Sequence, residues 1–161
     1  MSAPVGRALA VACLAATLAA CGPPEIHSVD LDADDRAACQ ALVDALPDTL
    51  DDLERGDVEP DDALGAAWGD PAIVLTCGAE EPEELDEFSA CDVVLGVGWF
   101  APPEQLKPDQ QDEDATLWAI SHNPLVELEV PADYRPDGVA AALAQLAEVI
   151  DAELDEVRAC Q

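Results

Sequence analysis

Residues 66–78 read AAWGDPAIVLTCG, and residues 91–100 read CDVVLGVGWF. In the first, Gly69, Asp70 and Pro71 punctuate a turn, and the run from Ala72 to Cys77 that follows is apolar and β-branched, the composition of a buried strand. The second run repeats that composition, and its simplest relation to the first is as an antiparallel neighbour across the acidic loop between them. Two more strands follow. DATLWAISH at 114–122 and LVELEVP at 125–131 are split by Asn123 and Pro124, a turn dipeptide. Leu125, Glu127 and Glu129 alternate imperfectly with Val126, Leu128 and Val130, so one face of the last strand meets water.

Helical periods flank these strands. From Asp34 onward, Cys39, Leu42, Val43 and Leu46 share one face; Pro47 interrupts, and Leu50 and Leu53 continue in a short second segment that Gly56 stops. At the far end Val139, Leu143, Leu146, Ile150, Leu154 and Val157 recur at spacings of three and four, with Cys160 continuing the same face. The order predicts an α+β domain with a mostly antiparallel four-stranded sheet and N- and C-terminal helices packed on one face.

Upstream, LAATLAACGPP at 14–24 closes an apolar run that begins after Arg7 and is broken only by Thr17. The run is too short to span a bilayer, which takes about 20 residues. A basic start, an apolar centre and small residues at the end make an export signal. Leu18, Ala19, Ala20 and Cys21 resemble the bacterial lipobox, in which the cysteine takes a diacylglyceryl group and the chain is cut before it. The competing reading is a plain secretory signal cut near Ala20. The expected organisation is a signal peptide at 1–20, a lipidated cysteine and flexible tether at 21–33, and one acidic domain at 34–161. The location this implies is the outer face of the cytoplasmic membrane.

After Cys21 the chain carries all 36 acidic residues against five basic ones, a formal charge of −31. No basic footprint exists to displace counterions from a phosphate backbone, so nucleic acid is excluded as a partner. Anionic lipid headgroups repel such a chain, so charge does not hold it at a membrane, whereas the acyl chains on Cys21 would. Acidic and apolar positions are interleaved along the chain, the mark of a folded domain with a solvated acidic surface that gathers cations non-specifically.

Setting aside Cys13 and Cys21 leaves Cys39, Cys77, Cys91 and Cys160. In an exported domain these predict two disulfides, with three pairings open. Spacing favours Cys77 with Cys91, clamping the neck of the acidic loop, and Cys39 with Cys160, tying the ends together, worth about 3 and about 5 kcal/mol by loop closure. The close paired spacings of a zinc site are missing. No metal or other cofactor is expected.

Few residues carry chemistry. Ser28, Ser89 and Ser121 lack a nucleophile elbow, and Ser121 and His122, as neighbours in a strand, are expected on opposite faces, which argues against a dyad and leaves His122 as an exposed turn residue. His27 falls in the tether. DLDADD at 30–35 begins like a calcium loop but has Asp35 where glycine is required and Ala41 where a bidentate glutamate is, so an aspartate N-cap of the first helix is the better reading. DQQDED at 109–114 is at most a weak cation collector. Trp68, Trp99 and Trp118 are candidates to line one ligand site, against the alternative that they fill the core.

AAWGDPAIVLTCG, CDVVLGVGW and PLVELEVPADY, in that order after a lipoprotein signal, resemble a family of uncharacterised actinobacterial exported proteins and lipoproteins. The resemblance covers Cys39 to the C-terminus. It departs at Thr76 and near His122, where that family tends to carry arginine, and this weakens an anion site. It implies an envelope location and no reaction. The function expected is a lipid-anchored, non-catalytic module that binds or supports an envelope protein or wall component; the alternative is a cell-wall enzyme using carboxylates that the sequence does not single out.

Overall fold

In the computed structural model, residues 22–86, 88–135 and 139–160 are described. The elements in chain order are α1 (Ala33–Ala45), β1 (Thr49–Leu50), β2 (Leu53–Gly56), β3 (Gly65–Trp68), β4 (Ile73–Cys77), β5 (Asp92–Val94), β6 (Val97–Phe100), β7 (Ala115–Ala119), β8 (His122–Asn123), β9 (Val126–Val130), α2 (Ala140–Glu153) and β10 (Asp155–Glu156). Eight strands form one antiparallel sheet in the order β1-β2-β3-β4-β9-β7-β6-β5, and β8 pairs separately with β10. The class is α+β, as expected, but the sheet is twice the predicted width.

The added strands come from two tight hairpins and one run of small residues. Leu50 and Leu53, spaced like a helix, belong instead to a hairpin whose turn residues Asp51 and Asp52 have φ of 47° and 65°. Positive φ at both central residues is the turn that matches strand twist, and aspartate tolerates it. Within CDVVLGVGWF, Leu95 (φ 46°) and Gly96 (φ 94°) make a second such turn, so the run doubles back as β5 and β6. Gly65 to Trp68 is wholly buried as β3, and a Cβ at Gly65 would collide with the Leu75 carbonyl of β4.

Both helices pack on one face, touching each other, with α1 over β3 and β4 and α2 reaching β5 and β6. Asp32 caps α1, its Oδ1 accepting the Asp34 and Asp35 N–H groups at 2.9 Å. Leu42, Leu146 and Ile150 are fully enclosed against Leu75, Val126 and Leu128 of the central strands. This interface is the main core.

The C-terminal helix stops sooner than its periodicity implies. Leu154 turns extended (φ −116°, ψ 150°), and the remaining tail runs antiparallel to β8 as β10, leaving Val157 exposed. Cys160 is therefore carried off the helical face to the edge strand. The disulfides are Cys39–Cys77 and Cys91–Cys160, with Cα separations of 5.5 and 5.8 Å, in place of the expected Cys39–Cys160 and Cys77–Cys91. Cys39 faces β4, where Cys77 ends the strand.

Residues 22–33 were expected as a tether, yet from Pro24 onward this segment is docked on the sheet face away from the helices. Ile26 N–H donates to the Glu59 carbonyl and Glu59 N–H to the Pro24 carbonyl, both at 2.9 Å; Val29 N–H donates to Gly78 O at 2.8 Å and Ser28 Oγ to Cys77 O at 2.7 Å. Ile26 is buried against Ala67 and Val74. The sheet needs this cover because Ala67 and Val74 would otherwise leave apolar surface in water. Cys21 lies outside the described residues.

Candidate functional site

The three tryptophans do not converge. Trp68 is completely buried beneath α1, its indole N–H donating to the Pro47 carbonyl at 3.0 Å. Trp99 also belongs to the main core while lining the cleft described below, whereas Trp118 lies on the opposite sheet face, tilted against Phe100 at a centroid distance of 6.3 Å. They serve as the bulk of two separate apolar clusters.

Ser121 and His122 are closer than strand alternation allows. β7 ends at Ala119, so alternation lapses, and Ser121 Oγ sits 2.8 Å from His122 Nδ1 while accepting the Gly98 N–H at 2.7 Å. The direction of the Ser121–His122 hydrogen bond follows the ring tautomer, and Nε2 faces Asp151 Oδ1 of α2 at 3.6 Å without a hydrogen-bond partner among the described residues. His122 is buried, contrary to the exposed turn residue expected. The three residue types of a hydrolytic triad are present, but Ser121 is enclosed. Its carbonyl accepts the Val157 N–H at 2.8 Å, Arg158 Nε caps the Ile120 carbonyl, and Cys160 Sγ fills the space over Gly98. No carbonyl substrate reaches Oγ. The cluster fastens the C-terminal tail to the sheet.

On the face away from the helices, Thr76, Glu127, Trp118 and Phe100 form a row across β4, β9, β7 and β6. The Glu127 carboxyl is pushed above its usual range, mainly by burial and secondarily by Glu129 two residues on. The Trp118 indole N–H draws it part of the way back down; with no acceptor inside hydrogen-bond distance, that contact is long and weak. No basic side chain pairs with Glu127 among the described residues, since the position opposite on β4 is Thr76. A raised carboxyl binds its proton more tightly in the folded state, so its contribution is complete below the unfolded value near 4.5 and is lost as pH rises through the folded value. Glu127→Gln is therefore expected to match the wild type in acid and to become progressively the more stable of the two toward neutrality. Thermal midpoints of both proteins between about pH 4 and 7 measure that difference; a constant gap across the range would refute it.

A cleft of about 380 Å³ lies at the end of the sheet where β5 begins and β6 finishes. Its walls are the loop carrying Glu84, Asp86 and Phe88 and the segment ending at Leu106, with Asp92 and Phe100 at its base. No basic residue lines it. Phe88 is 85% exposed and is presented by a built turn, its N–H donating to Asp86 Oδ1 at 2.8 Å while Asp86 N–H donates to Ser89 Oγ at 2.9 Å. The Cys91–Cys160 bond fixes the base of this loop. Sequence reading passed over Phe88 and Leu106, although a lone aromatic in the acidic run EEPEELDEFSACD, without a helical or strand period to bury it, was the available signal.

A second cavity, of about 230 Å³, is bordered by Arg135, but that guanidinium is already directed to the carbonyls of Gln105 at 2.7 Å and Glu113 at 2.8 Å, and to Gln110. Arg55 likewise serves the Val43 and Leu46 carbonyls at the end of α1. Arg55, Arg135 and Arg158 are thus directed to backbone carbonyls, while Lys107 pairs with Glu104. Among the described residues no three His, Cys, Asp or Glu side chains cluster as metal ligands, and no helix is long and apolar enough to cross a membrane.

Fold and cleft together define a disulfide-closed α+β domain with an acidic, apolar-walled surface site. The chain belongs to the family described as protein of unknown function (DUF3515), whose sequence profile matches residues 2–159. No curated protein and no solved structure matches it.

Proposed function

We propose that this protein is a non-catalytic binding or supporting module of the cell envelope, held by a lipid on Cys21 at the outer face of the cytoplasmic membrane. The observation that carries the reading is the pair of disulfides spanning the domain, which persist in oxidising compartments and are rare where thiols are kept reduced. The lipobox-like LAAC and a charge that forbids electrostatic adhesion support the anchor. Fractionation of Cys21→Ala is the test. The variant is expected in the soluble fraction or as an unprocessed precursor; a processed variant that stays with the membrane would overturn the anchor.

The Glu127 carboxyl favours a second reading, an enzyme acting on wall material with Glu127 as general acid, because raised carboxyl values mark such groups. Its only acidic neighbour of consequence is Glu129. Soluble fragments released from purified wall by the wild type, and absent with Glu127→Gln, would carry that reading over the first.

A further inference from the structure

We propose that the acidic cleft and the open edge of β5 together receive an extended, positively charged peptide segment of a partner protein, paired along the edge as an added strand. This rests on the binding-module reading and names the partner's chemistry.

The apolar surface is concentrated here. Of the six large hydrophobic side chains exposed among the described residues, Phe88 and Leu106 wall the cleft, and Val93 and Leu95 lie on β5 and its turn. Leu95 is the most telling. It occupies a left-handed turn position that favours asparagine, aspartate or glycine, and its side chain is 59% exposed, so neither local conformation nor core packing accounts for a leucine there. Strain kept in this way at a surface points to use of the side chain by something outside the chain.

The backbone beside it is equally available. β5 ends the sheet order, and no described strand pairs with its outer side. β5 carries neither lysine nor proline; its guards against wrong pairing are its three-residue length and Asp92, whose carboxylate attracts a positively charged segment. An open edge that continues into a cleft is the arrangement used for strand addition, where main-chain hydrogen bonds bind and alternate side chains select.

Charge decides the occupant. Glu84, Asp86 and Asp92 line the cleft, and none of the described residues lining it is basic, on a chain of formal charge −30. A second copy would bring the same charge to the same site and be repelled. In an extended segment successive side chains alternate, so one face can set apolar groups against Phe88 and Leu106 while lysine or arginine on the other meets the three carboxylates.

The full-length protein can be titrated with a blocked peptide alternating lysine and valine, alongside a lysine–serine peptide of equal charge and a glutamate–valine peptide. The comparison protein carries Phe88→Ser and Leu106→Ser, which change no charge at exposed positions, with its fold checked by thermal midpoint. The lysine–valine peptide is expected to bind the wild type about tenfold or more tightly than it binds the variant. It should also exceed the lysine–serine peptide on the wild type, slow amide exchange at Val93 to Leu95, and leave the glutamate–valine peptide unbound. Equal affinity for wild type and variant would show attraction to the acidic surface at large and overturn the proposal. Binding without slowed exchange along β5 would overturn the strand pairing. Either failure leaves the Cys21 result, and so the location, standing by itself.

Discussion

Replacing Cys39 and Cys160 together by alanine is expected to leave no folded domain at room temperature, whereas replacing Cys39 and Cys77 together leaves one that is weakened but folded. The first pair of substitutions breaks both disulfides, because the partners of Cys39 and Cys160 are Cys77 and Cys91; the second breaks only one. The bonds close 38 and 69 residues of chain, and loop-closure entropy assigns each about 4 kcal/mol. Losing one removes a large part of a native stability of about 5–15 kcal/mol, and losing both removes about 8 kcal/mol, enough to unfold a domain in the lower part of that range. Urea unfolding of the two double variants measures the difference. The opposite ranking would restore the pairing that spacing alone suggests.

The second large effect belongs to Trp68→Ala. Trp68 is completely enclosed between the sheet and α1, and its removal costs the transfer energy of the side chain and leaves a cavity, about 3–5 kcal/mol together. The Pro47 carbonyl, which accepts the indole N–H at 3.0 Å, also loses its donor. Trp118→Ala is expected to cost less, since that residue lies in the small satellite cluster with Phe100 and Ile120. Chemical denaturation of both variants gives the comparison. A Trp68→Ala protein as stable as the wild type would move this residue out of the core.

The parts of the fold that sequence revealed are those governed by local period. α1 and α2 follow from apolar residues every three or four positions, and β4, β7 and β9 from β-branched runs between turn residues. What stayed hidden depended on residues whose local preference matches another structure. Leu50 and Leu53 fit a helix as well as a hairpin, and only the left-handed Asp51 and Asp52 distinguish them. The run GAAW looks like a turn because small residues carry no strand preference, yet packing between neighbouring strands and beneath Ile26 buries it. Val157 continues the helical spacing after Leu154 has already turned extended, and that single departure reverses the pairing of all four cysteines.

The candidate site was less legible still. Its apolar walls come from loops, where Phe88 and Leu106 have no period to announce them, and its edge depends on which strand falls last in the sheet, a long-range outcome. The seryl and histidyl side chains raised the reverse difficulty. Ser121 and His122 do meet, because β7 ends before them, but they meet under a covering tail.

The four cysteines that follow Cys21 pair in the order in which they occur, Cys39 with Cys77 and Cys91 with Cys160. For a chain that emerges N-terminus first, this is a schedule as much as a connectivity. Cys39 and Cys77 can join while Cys91 and Cys160 are still to come, closing the half that holds α1 and β1 to β4 before the remainder arrives. A nested arrangement would have kept Cys39 waiting for the last residues of the chain, exposed throughout to the wrong partner. Consecutive pairing lets the first bond close from cysteines already present, without waiting for the end of the chain.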